Sequence, residues 1–548
     1  MRQIFLFFFV SWYSFSLAQT TIELSETTLD FGDVFENAPD SLPLILTNKG
    51  NEPVNISEIR FYKTYSDFPF TIQDTGFSLQ PDSSRTMYVR FEPRHNITHY
   101  SSLVIFTDAG HGALYVALEG QGKYSKTYYN TTENKAEEAL KSALKSRLSQ
   151  GFNSLTYNAA RDAMYMTVDN QKVNGQGAAQ NTLEGVYTGF TVVGYTDRQD
   201  AQFQGFNTEH TFPQGFFNQS QPMRSDLFHL FPTQQDANNQ RGNLPFGAVT
   251  SNISWQNGGS KKGNGEFEPR DKQKGPVARA MFYFVIRYQD YANFLSSQEG
   301  ILRQWHENFP PDDVGKKRND DIAALQNNRN PFIDYPQFIE RIHSISGNSS
   351  APVNLDLDLT EAEIDYDTVA VMADAFYQYV LVNNGNQPLE LKNINLADNS
   401  LSFTNISGND TSILPGRGLP INIKLNHSQN GPFQSSLNFD TNVPGQSQVS
   451  IPITAELVGN NTALEELREY AFKVYPNPTK DKIYVEFEEP VSNGTTIQLI
   501  DMNGRKILQQ NLHTKFMEIS LSDYHSGVYL LKLTLDHQDY YKRISIIR

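Results

Sequence analysis

Residue types that could do chemistry together are densest between positions 205 and 249 of this 548-residue chain. Glu209 directly precedes His210, Asp226-Leu-Phe-His229 follows, and a run of amides ends in a cation at Asn238-Asn-Gln-Arg241. A carboxylate and a carboxamide offer hard oxygens to Mg²⁺ or Ca²⁺. An imidazole titrates near neutral pH and can take a proton from water, and a guanidinium matches phosphate. Together these are the parts that metal-assisted phosphodiester hydrolysis requires. His210 is the candidate base. In an extended strand Glu209 points to the opposite side, so a local bend would let one element serve both base and cation.

These groups need elements to hold them. After Pro232, Thr233-Gln-Gln-Asp236 reads as a capping start and Gly242 as a stop, which puts Asn238 early on a short helix with its amide oxygen as a second hard ligand. Strand, loop and short helix around one cation make a ββα-metal arrangement. Around it the spacing predicts amphipathic helices over 133–149, with Leu140, Leu144 and Leu148 inward, and over 312–328, with Val314, Ile322 and Leu325 inward. A buried helix is expected to open at Gly275-Pro276, and 187–193 is strand-like. An α+β domain therefore spans 124–345.

The flanking texture is different. Residues 20–122 show short alternating strands with turn punctuation, the pattern of an antiparallel sandwich. Leu46-Thr-Asn-Lys-Gly50-Asn-Glu-Pro53 recurs without gaps as Leu381-Val-Asn-Asn-Gly385-Asn-Gln-Pro388, so 352–458 is a second copy. A polar linker at 459–471 leads to a third β-rich stretch, 472–548, with a tight hairpin expected at Asn503-Gly504. At the other end, Arg2, an apolar run and Ser16-Leu17-Ala18 read as a cleavable leader over 1–18. No later segment reaches the apolar length of a transmembrane helix. There is no cysteine, which excludes disulfides, thiol nucleophiles and Cys-ligated zinc. A net charge of −16 argues against coating nucleic acid, but Lys261, Lys262, Arg270, Lys272, Lys274, Arg279 and Arg287 cluster, as a face meeting a polyanion in passing would. An ordinary solvated face fits that cluster equally.

Several motifs in order resemble the bacterial endonuclease I family of secreted and periplasmic nucleases. They are Glu209-His210-x-Phe-Pro, Ser225-Asp-Leu-Phe-His229-Leu-Phe-Pro, Asn238-x-x-Arg241-x-Asn243-x-Pro-Phe-Gly247, Phe267-Glu-Pro-Arg-Asp271, Trp305-His306 and Arg318-Asn319-Asp320. The resemblance implies His210 as general base, Glu209 and Asn238 as ligands of one Mg²⁺ or Ca²⁺, and cleavage of DNA, often RNA, with little sequence preference. Arg241 is then expected at the phosphate, ahead of Arg224 and Arg329. Phe228 departs from the family, which carries a polar residue there. Both sandwiches resemble the abnormal-spindle/Hydin type of immunoglobulin-like module. Tyr475-Pro-Asn-Pro478, Asp501-Met-Asn-Gly-Arg505 and Ser526-Gly-Val-Tyr-Leu530 resemble the sorting domain of type IX secretion in Bacteroidetes, which implies that export machinery as a partner and a secreted or surface-attached product. The expected architecture is thus multidomain: an α+β nuclease domain between two Ig-like sandwiches, with an all-β sorting domain behind. A second reading stays open, a surface adhesion or extracellular-DNA-binding protein whose nuclease domain is inactive.

Overall fold

The computed structural model describes residues 22–62, 68–108, 112–459, 472–487, 495–501, 505–512, 514–535 and 538–547. The expected leader, nearly all of the 459–471 linker and the Asn503-Gly504 hairpin lie outside them. The chain divides into two units, 1–458 and 459–548.

In the first unit two sandwiches share one strand order. The first has a sheet of Ile22–Leu24, Asp40–Asn48, Ser84–Phe91 and Phe70–Thr71 facing a sheet of Thr28–Phe35, Ala113–Lys123, Thr98–Thr107, Val54–Tyr62 and Phe77–Leu79. The second repeats this as Leu357–Leu359, Ala375–Asn383, Gly418–Leu425 and Leu401–Phe403 against Ile364–Ala370, Gln448–Val458, Gly431–Thr441, Leu389–Leu396 and Thr411–Ile413. Alternation places Leu44, Leu46, Met87, Val89 and Phe91 inside one, and Tyr379, Leu381, Ile421, Ile423 and Leu425 inside the other.

The sequence repeat has a physical basis in one buried amide. Asn48 donates to the carbonyls of Glu52 and Leu79 and accepts from the Gly50 N–H, and Asn383 does the same with Gln387, Ile413 and Gly385. Each ties a strand end to the following turn and satisfies backbone groups that the turn would otherwise bury unpaired.

The two sandwiches touch each other directly, although the α+β domain separates them in sequence. Tyr62, Val104 and Ala113 pack with Val380 and Val382, Arg417 pairs with Glu119, and the Ser102 hydroxyl donates to the Gly416 carbonyl at 3.0 Å. The intervening domain leans on the first sandwich through the Tyr335 hydroxyl donating to Glu36 at 2.9 Å and through Arg341 donating to Asn96.

The core of that domain is the helix Asp271–Arg287, in which every residue from Val277 to Arg287 is buried. Leu140, Leu144 and Leu148 of Glu137–Ser149 and Ile322 of Asp313–Gln326 share its cluster. Three expectations are corrected. The core helix starts at Asp271, not Gly275, and Pro276 lies inside it. Gly275 serves close approach: a Cβ there would sit 2.1 Å from the Phe309 carbonyl oxygen. Val314, in the first turn of its helix, is exposed rather than inward. Only Thr191–Val193 of the 187–193 segment is strand, paired with Thr182–Glu184, and Tyr187 sits in the connecting turn.

His306 is a packed residue, as its neighbours in sequence suggest. Its Nε2 donates to the Pro336 carbonyl, and burial lowers its pKa to about 4. The folded state thus keeps the ring neutral, whereas the unfolded chain takes up a proton below the ordinary 6.5. The contribution is fully present above pH 6.5 and is lost as pH falls from there toward 4, roughly 3 kcal/mol at the limit. Thermal melts between pH 7.5 and 4.5 should therefore be steeper for the native chain than for His306→Gln. Parallel curves would disprove it.

The second unit is β throughout its described part, with sheets Phe472–Tyr475, Lys482–Phe487, Phe516–Ser520 and Lys506–Asn511, Thr496–Ile500, Gly527–Leu535, Gln538–Ile546 around Ile483, Val485, Ile497, Leu499 and Leu531.

Candidate functional site

The strand Phe206–His210 pairs antiparallel with Leu230–Gln234, Glu209 opposite Phe231 and His210 opposite Leu230. The register is unbroken through both candidates, so no bulge separates them. Their side chains accordingly meet different neighbours. Glu209 contacts Tyr187 and Arg241, and the His210 ring lies beside those of Tyr157 and His229 at 5.6 and 5.5 Å.

Glu209 is 2% exposed. Its Oε1 accepts from the Tyr187 hydroxyl at 2.8 Å and lies 3.4 Å from Arg241 Nε. Its Oε2 has no hydrogen-bond partner among the described residues. Burial pushes the carboxyl above its ordinary range, against the pull of Arg241 and Tyr187.

His210 is 6% exposed, and its Nε2 lies 3.1 Å from the Arg224 carbonyl oxygen. A carbonyl only accepts, so Nε2 carries the proton and Nδ1 keeps the lone pair of the neutral ring. Burial, and then the neighbouring His229, hold the pKa well below the ordinary value. The ring is therefore neutral at pH 7, as a proton acceptor must be.

The loop supplying that carbonyl is pinned from below. Asp226, wholly buried, accepts from Arg287 at 2.5 Å, Tyr283 at 2.8 Å, Tyr288 at 2.9 Å and Gln326 at 3.0 Å. Burial alone would raise the carboxyl, but Arg287, His229, the Gln326 amide and the Phe228 N–H together hold it below its usual range. His229 Nε2 donates to the Met223 carbonyl at 2.6 Å, and Arg318 donates to the Leu230 carbonyl at 2.7 Å. Phe228, the apolar departure, is buried against Tyr283 and belongs to the core.

Asn238 is the fourth residue of the helix Gln235–Arg241, in its middle rather than early. No side chain caps that helix, so Thr233 does not act as the expected cap. The Gln235 N–H bonds to the Gly205 carbonyl instead, which fixes the helix to the start of the Glu209 strand. Gly242, at φ +52°, ends it as read. Asn238 is half-buried, and its amide has no hydrogen-bond partner among the described residues.

Arg241 is not where a phosphate could reach it. It is 1% exposed, donating to the carbonyls of His210, Gly242 and Thr211 at 3.3, 3.0 and 2.6 Å while pairing with Glu209. Its guanidinium has been used to tie the helix to the strand end. Arg329 is also taken, bonded to Asp334 and Asp320. Most of the basic cluster is spent too, and half-buried Lys262 donates to the Gln240 amide. Lys261 and Lys274 pair with Glu268, Arg270 and Lys272 with Glu184, and Arg279 and Arg287 are buried. A cavity of about 130 Å³ lined by Gln273, Arg279, Arg318, Phe228 and Phe231 lies nearby, but none of the four candidates lines it.

The donors that remain are of the kind a hard cation takes. One carboxylate oxygen and one amide oxygen lack partners, and a buried carboxylate with a single cation at 3.4 Å is under-neutralised. No group of three or more His, Cys, Asp or Glu able to hold a metal occurs among the described residues. Sequence reasoning missed Tyr187, which orients Glu209, and Tyr157 and Arg161, which group with the already named Arg224 around His210. Lone aromatic residues and arginines carry no spacing signal.

Comparison with known proteins supplies the lineage. A family model described as Endonuclease I matches residues 136–337, one described as a HYDIN/CFA65/VesB-like Ig-like domain matches 20–121, and one described as a secretion system C-terminal sorting domain matches 473–547. The last marks the chain as exported or surface-attached. The chain is 32% identical over 155 residues to an extracellular ribonuclease of Bacillus subtilis (strain 168), covering 25% of this chain and 54% of that protein. It is 30% identical over 236 residues to an extracellular ribonuclease of Bacillus amyloliquefaciens, 40% of this chain and 78% of that one. An extracellular deoxyribonuclease of Aeromonas hydrophila matches at 32% over 122 residues, 20% and 50%. The chain thus spans about half the length of the first and third of these relatives and over three quarters of the second. The shared region includes the Glu209 strand, the Asn238 helix and the core helix that carries Arg287, and the chain belongs to the endonuclease I family.

Proposed function

We propose that this protein is an exported endonuclease that hydrolyses phosphodiester bonds in DNA and RNA with little regard for sequence. The carrying observation is the state of His210: a buried neutral imidazole with Nε2–H committed to the Arg224 carbonyl and Nδ1 free to accept. The residue beside it is a buried carboxylate with one unpartnered oxygen. His210 Nδ1 takes the proton of the attacking water, and the Arg224 carbonyl steadies the imidazolium that results. Glu209 and Asn238 would hold a divalent cation, Mg²⁺ or Ca²⁺, whose charge offsets that developing on the phosphate. Arg241 and Tyr187 keep Glu209 in one orientation. Arg241 is thus a positioning residue rather than the phosphate contact. Relatives named for ribonuclease and for deoxyribonuclease activity support testing both substrates.

The test is cleavage of supercoiled plasmid and of a structured RNA by the folded, purified chain. EDTA should abolish cleavage, and excess Mg²⁺ should restore it. Protein that binds either polymer without cutting it under any divalent cation would favour the adhesion reading instead.

A further inference from the structure

Arg241 and Arg329 are engaged, and the basic cluster is paired or buried except for Lys262, which bonds the Gln240 amide, so the phosphates of a substrate need another partner at the base. Two cations beside the base remain uncommitted. Arg161, on the helix Tyr157–Ala163, and Arg224, in the pinned loop, both stack on the Tyr157 ring, their guanidinium carbons 4.3 and 4.2 Å from its centroid. The same ring is 5.6 Å from that of His210.

Neither arginine has a carboxylate partner among the described residues, and Arg161 donates only to the neutral Asn158 amide. The nearest acid on that helix in sequence, Asp162, is taken by Arg198 at 2.6 Å. Six other arginines of the domain, Arg198, Arg270, Arg287, Arg303, Arg318 and Arg329, are ion-paired, while Arg147, Arg279 and Arg341 bond neutral groups away from the base. In a chain with sixteen excess negative charges, two half-buried cations left without acids beside the base constitute a site for an anion. Stacking on tyrosine fixes the plane of each guanidinium and lowers the entropy lost when it binds.

We infer that Arg161 and Arg224, stacked on Tyr157, form the binding site for the substrate's phosphodiester backbone next to His210. This rests on the nuclease reading and deepens it. The recognised chemistry is the phosphate, not the base, which accounts for sequence tolerance through contacts that every strand offers. Arg224 has two parts to play. Its side chain would meet a phosphate while its carbonyl sets the tautomer of His210, so seating the strand and orienting the base depend on one residue.

The experiment uses the full chain with His210→Ala, which removes the base but leaves the clamp, and a fluorescently labelled oligonucleotide followed by anisotropy across a salt series. Adding Arg161→Gln or Arg224→Gln should weaken binding about tenfold each, equally for unrelated sequences, and reduce the slope of log affinity against log salt by about 1. With His210 intact, each should raise KM about tenfold at an unchanged melting temperature. Arg224→Lys keeps the charge and should retain the salt slope. Unaltered slope and KM in both Gln variants, while the parent still binds and cuts, would overturn the clamp alone. A parent that neither binds nor cuts nucleic acid would overturn the nuclease reading and the clamp together.

Discussion

Replacing His210 with alanine should lower kcat on plasmid DNA by about 10²–10⁴-fold, the usual span for loss of a general base, and shift the melting temperature by only a few degrees. The ring makes one polar contact, from Nε2 to the Arg224 carbonyl, and otherwise lies among Tyr157 and His229. Its deletion leaves a small cavity but orphans no buried charge. Glu209 keeps Tyr187 and Arg241, so the donors for the cation stay in place. The loss should therefore fall on kcat with KM little changed, the signature of an interaction made only on the way to the transition state. Added imidazole, small enough to enter the vacated space, should restore part of the rate. Nicking equal to that of the parent chain would remove His210 as the base.

The placement of Glu209 and His210 on one extended strand was legible in the sequence. Glu209 and His210 are neighbours, and the strand that displays them needed only alternation to be read. The two sandwiches were legible for a similar reason, because Asn48 and Asn383 do identical work and the turn they brace is copied with them. What failed was orientation. Arg241 follows Asn238 by three residues, so both lie on one helix face. Which way that face points depends on the Gly205 carbonyl anchoring the helix start, a tertiary contact without any local pattern. The basic run from Lys261 to Arg287 was misleading in the same way. Glu184, nearly ninety residues upstream of Lys272, neutralises two of its members, and Asp226 neutralises a third. The Tyr157 stack gathers residues 157, 161, 210 and 224, and only the first two share an element.

Replacing Asp226 should be the most destabilising single change in the domain. Its carboxylate is the only acid paired with Arg287 among the described residues, and both are buried. Two tyrosine hydroxyls and the Gln326 amide also point at it. Asp226→Asn is nearly isosteric, yet it strands a buried guanidinium and turns an acceptor-only group into one that also donates. Breaking such a pair from one side costs about 3–5 kcal/mol, a fall in melting temperature on the order of 10 °C. The double variant Asp226→Leu with Arg287→Met should be less destabilised than either half, because no charge is left alone. Cleavage should suffer before global unfolding does. Asp226 sits two residues from Arg224, whose carbonyl holds His210, so a loosened loop blurs the tautomer and orientation of the base. At a temperature where Asp226→Asn is still folded, its kcat should already be reduced. A melt within about 2 °C of the parent, at full activity, would mean that the hub neither carries the fold nor positions the base.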